Sequence, residues 1–320
     1  MSDSDKFLSG NPFSINELAC YQASQQISAY HARPTQTSWG LVCKETQLVF
    51  KLSIVAICHQ MNWEFLQSRL AEKLLTQKKD FVQTIANVTS RDITEWFGDY
   101  HRPERIRAKE RARLLRDVGK TLQEKWDSRV SAILEAGDGR LEGKKGFLQL
   151  LDDFVAYRED PLRKKSNVLV HDLVRERIIT FTDMEKIKPA IDYHLIRLYL
   201  RTGRVTPLYE AVKEQLKGIP RPRPRLVRLL RATVADALRL TAQYSALTIP
   251  DVNYIEWQIG RSICHNKNPQ CISLESAPSL AEDVAILFSS KCPYDNYCWA
   301  FSKDREWLHL QEPKYEKSYY

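Results

Sequence analysis

Apolar residues recur at helical spacing along most of the chain. Examples are Leu48 to Leu75, Ile106 to Trp126, Phe147 to Tyr157, Val168 to Val174, Ile191 to Leu200, Leu226 to Leu240 and Val284 to Phe288. Side chains three and four positions apart share a helix face, so each run can offer an apolar stripe to a core. Glycine and proline punctuate the breaks, at Gly98–Pro103, Gly137–Gly146, Asp160-Pro161, Gly203–Pro207, Gly218–Pro224 and Pro278. The alternation of half-buried strands is nearly absent, and glycine is scarce at 11 residues. The pattern predicts an all-α fold. Residues 1–45 lack periodicity and read as an arm of extended chain and short turns. Leu280–Phe288 reads as one more short helix. Inside the run that begins near Val49, His59, Gln60 and Asn62 interrupt the apolar face. Buried polar groups without partners are costly, so these three are either satisfied core residues or the lining of a site.

Composition changes the picture in two ways. With 320 residues and 43% hydrophobic content the chain can bury one large core or two adjoining lobes. Its net charge of +8 suits a polyanionic partner, and the cations are clustered. Seven Arg and Lys between His101 and Arg116 face only Glu104 and Glu110, and Arg221 to Arg231 carries five arginines and no acid. Arg107, Arg111, Arg223 and Arg228 are the candidate phosphate contacts; solvated helix faces are the plainer alternative. The polar start, Met1-Ser-Asp-Ser-Asp-Lys, does not read as a secretory leader, and no apolar run is long enough to span a bilayer. A cytoplasmic, membrane-free monomer is the expectation.

Of the 7 cysteines, Cys264, Cys271, Cys292 and Cys298 form a C-x6-C-x20-C-x5-C series behind Trp257-Gln-Ile-Gly260-Arg261-Ser-Ile. Four thiolates hold either zinc or an iron–sulfur cluster. Zinc knuckles are usually tighter, because two ligands from one turn must reach one small ion. The wider pairs here suit a larger cubane, with four unrelated buried thiols as the remaining alternative.

A second informative stretch runs from Asp160 to Val205. Asp192 stands where an N-cap belongs, ahead of apolar Leu195, Ile196, Leu198 and Tyr199. Arg163, Lys164 and Lys165 enter an apolar helix, where cations oppose the macrodipole. A bound phosphate would compensate them.

These motifs, in this order, resemble helix-hairpin-helix DNA glycosylases of the endonuclease III type. Arg163-Lys164-Lys165-Ser166-Asn167-Val168-Leu169 is similar to the family's Arg-Lys-Thr-Ala-Asn-Val-Val segment, and Ile191-Asp192-Tyr193-His194-Leu195-Ile196-Arg197 to its Val-Asp-x-His-x-x-Arg. The Asp160-Pro161-Leu162 lead-in and the Asp192-Tyr193 pair look closer to the archaeal 8-oxoguanine branch. The resemblance covers roughly residues 46–300. It implies a [4Fe–4S] cluster on the four cysteines, a catalytic lysine at Lys164 with Lys165 as the rival, and an essential aspartate at Asp192. It also implies a polar side chain, Gln60, entering the space left by a flipped base, with His59 and Asn62 beside it. Arg163 and Lys165 would join the DNA contacts. Two features depart from the family: Glu159-Asp-Pro-Leu lacks the hairpin glycines, and the family's x2 between the second and third cysteines is x20 here.

The implied chemistry suits these residue types. Breaking an N-glycosidic bond builds positive charge on the sugar, which a preorganised carboxylate stabilises. An amine can attack the same carbon, but only unprotonated, and fewer than about one lysine in a thousand is neutral at pH 7 with an ordinary pKa. Burial and flanking cations lower that value. The expected architecture is an N-terminal arm (1–45), a six-helix lobe (46–175) and a cluster-bearing lobe (176–320), with Lys164 and Asp192 meeting in a cleft. The expected function is excision of a modified base from flipped-out duplex DNA, with a lyase step, in DNA repair or in antiviral defence against modified phage genomes. The alternatives are an N-glycosidase of a free modified nucleotide, as in queuosine salvage, and a non-catalytic iron–sulfur DNA-binding module.

Overall fold

Most of the apolar runs fold as helices. The computed structural model describes residues 10–31, 43–77, 81–217, 224–271, 280–287 and 291–312. In chain order the elements are β1 (Phe13–Ile15), α1 (Glu17–Ile27), α2 (Lys44–Ala56), α3 (Trp63–Gln77), α4 (Phe81–Asn87), α5 (Ser90–Phe97), α6 (Ala108–Lys125), α7 (Val130–Ala136), α8 (Phe147–Leu150), α9 (Val155–Arg158), α10 (Lys164–Arg175), α11 (Tyr193–Arg201), β2 (Val205–Pro207), α12 (Glu210–Gln215), α13 (Pro224–Ser245), α14 (Ile249–Ser262) and α15 (Glu282–Ala285). They divide into two compact units, one from the described part of 34–187 and the other from the described parts of 1–33 and 188–316.

In the first unit α2 is the central element, buried on every side from Leu48 to Ala56. Helices α3, α6, α7 and α10 pack on it. Gly119 lets α6 press against α4, since a Cβ there would fall 2.4 Å from the Ala86 nitrogen. Lys51 sits in this core because Asp172 and Glu176 neutralise it. The run from Leu48 to Leu75 is not one helix. Ile57 ends α2, Gln60 adopts a left-handed φ of 56°, and Asn62 starts α3 by accepting the Phe65 N–H at 2.8 Å. The unit ends at residue 187 rather than 175, because the chain after α10 stays tied to the same core. The Thr182 N–H donates to Gly139 O at 2.9 Å, and the Asp183 carboxylate accepts the Leu141 and Glu142 amides.

In the second unit α13 and α14 support α1 and α11. The N-terminal arm belongs here and is more regular than its polarity suggests. Asn16 caps α1 through the Ala19 N–H, and Ala19, Cys20, Ala23 and Ile27 form its buried stripe. β1 pairs antiparallel with β2, Ser14 opposite Thr206. Gly203, at φ +74°, follows α11, and a Cβ on it would fall 2.4 Å from the Trp299 ring. The expected Leu280–Phe288 helix is the shorter α15; Phe288 lies outside the described residues.

Candidate active site

The hairpin-like turn between α9 and α10 is built on Asp160 instead of glycine. Its Oδ1 accepts the Leu162 N–H at 3.0 Å and its Oδ2 the Lys164 N–H at 2.9 Å, while its carbonyl accepts the Arg163 N–H. A carboxylate therefore stands at the N-terminus of α10 and offsets the cations there, the task that the sequence suggested for a phosphate. Arg163 takes a left-handed φ of 51°. Its guanidinium donates to Leu148 O and to Asp152 at 2.5 Å, so it fastens the turn to the unit's own chain.

The two lysines have different surroundings. Lys165 is fully buried, and its amine donates to Ala56 O at 2.5 Å, where a cation suits the last carbonyls of α2. Burial pushes its pKa down to about 8, with the Lys164 charge acting the same way and Cys58 against it. Tyr157 reaches the same helix end, its hydroxyl donating to Leu52 O at 2.6 Å. Lys164 is 7% exposed, and its amine has no hydrogen-bond or ion-pair partner among the described residues.

The loop after α2 carries the three polar residues singled out in the sequence. His59 is buried, its Nε2 lies 3.2 Å from Glu110, and its Nδ1 has no partner among the described residues. Burial drives its pKa down to about 3; the Glu110 hydrogen bond opposes this, while Lys165 and Arg111 reinforce it. Asn62 is an exposed N-cap. Gln60 is half-exposed, its carbonyl oxygen accepting from Arg105 at 3.2 Å. Of the three, Gln60 is the one whose side chain is partly open to solvent and bonded only to another exposed side chain.

Arg111 and Lys165 do not fit the surface role expected of them. Arg111 is 0% exposed and donates to Arg105 O at 2.8 Å, to Ile106 O, and to His59 O at 2.5 Å, locking the loop to α6. Its spacing from Leu114, Leu115 and Val118 places it on the apolar face of α6, a signal present in the sequence. Arg107 is half-buried and paired with Glu110 at 2.7 Å. Arg102, Arg105, Lys109 and Arg113 are the more exposed cations of this segment. On α13 Arg228 is exposed; Arg223 lies outside the described residues.

In the second unit Asp192 caps α11. Its Oδ1 accepts the His194 N–H at 2.9 Å and the Leu195 N–H at 3.1 Å, and the residue is buried. The same short helix reaches the cysteines through two buried arginines. Arg197 donates from Nε to Cys264 O at 2.7 Å, from Nη1 to Glu312 at 2.7 Å, and from Nη2 to Gly260 O and His194 Nδ1, both at 3.0 Å. A guanidinium only donates, so His194 carries its proton on Nε2. Arg201 donates to His265 O at 2.6 Å and Asn266 O at 2.8 Å, with Cys264 Sγ at 3.7 Å. The Cys298 thiol returns a bond to Arg201 O at 3.3 Å. Arg201 was not among the candidates in the sequence; as an arginine one turn past Arg197 on an apolar helix face, it was detectable there. Gly260 allows the close crossing of α11 and α14, since its Cβ would lie 2.8 Å from His194 O.

Cys264, Cys292 and Cys298 are buried and Cys271 is half-buried. Burial pushes Cys271 up to about 11, Cys298 up to about 12 and Cys292 well above the usual thiol range, and in each case Cys264 adds to the rise. The four sulfurs thus share one electrostatic neighbourhood. Among the described residues no three His, Cys, Asp or Glu side chains converge tightly enough to hold a single metal ion. Thiols are the donor type that zinc and iron–sulfur groups take, by displacing their protons. No protein-family model matches this chain, and no curated protein does either.

Proposed function

We propose that the chain is a helix-hairpin-helix DNA glycosylase that excises a modified base by cleaving its N-glycosidic bond. One observation carries the reading: a single short helix, α11, bears a buried carboxylate at its N-terminus and, one and two turns on, the arginines that hold the loop of Cys264. Asp192 engages one oxygen in capping, which restrains the carboxylate; its charge would stabilise positive charge developing on the sugar. Lys164 is the preferred nucleophile over Lys165, because the Lys165 amine is committed to Ala56 O. Attack by a neutral Lys164 amine at the sugar carbon expels the base with the electron pair of the broken bond. The resulting adduct opens to an imine that can support a lyase step. Cys264, Cys271, Cys292 and Cys298 would hold a [4Fe–4S] cluster, which would supply the positive charge that orders their loops. Arg107 and Arg228, with the exposed Arg105 and Lys109, are the proposed phosphate contacts. Among the described residues no helix is long and apolar enough to cross a membrane.

The test is release of bases from genomic and phage DNA, identified by mass spectrometry, with wild type and two variants. Asn at position 192 can still accept the His194 and Leu195 amides. Asp192→Asn should therefore fold and bind DNA while base release falls by about a hundredfold or more. Lys164→Ala should abolish borohydride trapping. Full activity in Asp192→Asn would refute the reading, and activity on free nucleotides alone would replace DNA with a nucleotide substrate.

A further inference from the structure

We propose that Asn253 is a positioning residue for Asp192, a role that rests on the glycosylase reading above. Ala190, Ile191 and Asp192 are buried, yet Ala190 and Ile191 lie in neither helix nor strand. Buried backbone outside regular structure must find its hydrogen-bond partners in turns, side chains or ordered water. Asn253 of α14, 7% exposed, provides both for Ala190. Its Oδ1 accepts the Ala190 N–H at 2.7 Å, and its Nδ2 donates to Ala190 O at 3.4 Å. The side-chain amide thus imitates one rung of a β-ladder against a single residue. Arg231 of α13, 4% exposed, donates to the next carbonyl, Ile191 O, at 3.4 Å.

Asp192 follows directly in extended conformation, with φ −115° and ψ −176°, so its Cα is placed by the clamped residues before it. Beyond it, the chain is held by the same helix. Gly260, about two turns after Asn253, permits the contact with His194 O. α14 therefore grips the backbone on both sides of the carboxylate, by an amide pair before it and by close approach after it. A charge-stabilising carboxylate must be held within about 0.5 Å of its working place, and a shift of about 1 Å can cost a hundredfold in rate. Asn253 touches neither substrate nor reacting atoms. Its contribution is the fixed origin from which the Asp192 side chain projects.

Two variants separate positioning from simple support. Asn253→Leu keeps the size and removes both bonds; Asn253→Asp keeps the acceptor of the 2.7 Å bond. The readouts are single-turnover base release, DNA affinity, and hydrogen exchange of residues 187–195 in the full-length protein. In Asn253→Leu, base release should fall at least about tenfold with affinity unchanged, and the 187–195 amides should lose protection while the rest of the protein keeps it. Asn253→Asp should retain protection and release bases within about threefold of wild type. Undiminished release or unchanged protection in Asn253→Leu would overturn the proposal. So would losses of rate, affinity and global protection in parallel in both variants. Failure of the glycosylase reading is visible separately, as wild-type protein that releases no base; the exchange data would then show whether Asn253 holds this segment at all.

Discussion

His59 is a buried imidazole between a carboxylate and two cations, and its charge state ties the stability of its unit to pH. Burial holds the folded-state pKa at about 3, against an unfolded value near 6.5. Above pH 6.5 the ring is neutral in both states. As pH falls below 6.5 the unfolded chain takes up a proton that the folded one refuses, so stability drops. Between pH 6.5 and 5 the loss should be about 2 kcal/mol. His59→Gln should flatten that slope in urea titrations at several pH values; an unchanged slope would assign it to other groups. His59 shows the limit of sequence reading at this scale: its type was noticed, but its burial depends on a loop geometry, set by Gln60 and Asn62, that periodicity does not encode. Arg111 differs, since its spacing from Leu114, Leu115 and Val118 already places it on the apolar face of α6. Asp192 was legible, because an N-cap is local chemistry.

At the scale of elements, long apolar runs were read well, and short or weakly apolar ones were not. α1 escaped notice because its buried stripe is made of alanine, cysteine and one isoleucine among polar residues. α4, α5 and α14 were likewise not anticipated. Leu48 to Leu75 looked continuous because the break at 57–62 contains no proline or glycine. The turn before α10 was read as lacking the hairpin glycines of the glycosylases it resembles, but the replacement by a carboxylate is a matter of side-chain geometry. Asp160→Ala leaves two amides, those of Leu162 and Lys164, without acceptors. It should destabilise this unit by about 1–2 kcal/mol in urea unfolding. Asp160→Asn, which keeps one acceptor oxygen, should cost less. Equal stability of all three proteins would mean that water replaces the cap.

At the scale of the whole molecule, the two units should answer differently to loss of the proposed cluster. All four cysteines belong to the second unit. Anaerobically purified protein should be brown and carry about four irons per chain. Cys298→Ser should bleach it and lower hydrogen-exchange protection in α11 and α14, leaving α2 protected. Colourless protein with stoichiometric zinc would replace the cluster with a single ion. The net charge of +8 belongs to this scale too. If duplex DNA is the partner, Arg228→Gln should reduce the slope of log affinity against log salt by about one. An unchanged slope would leave Arg228 a solvated surface cation.

Gly203 and Trp299 constrain how this chain can change by descent. Any side chain at 203 would occupy space that the indole already fills, on a backbone at φ +74° that resists a Cβ as well. The two positions can diverge only together. A related chain with alanine or larger at 203 should carry a small residue at 299, and a chimera that takes residue 203 from such a relative and Trp299 from this chain, with its crossover between the two, should fail to fold even though each parent does.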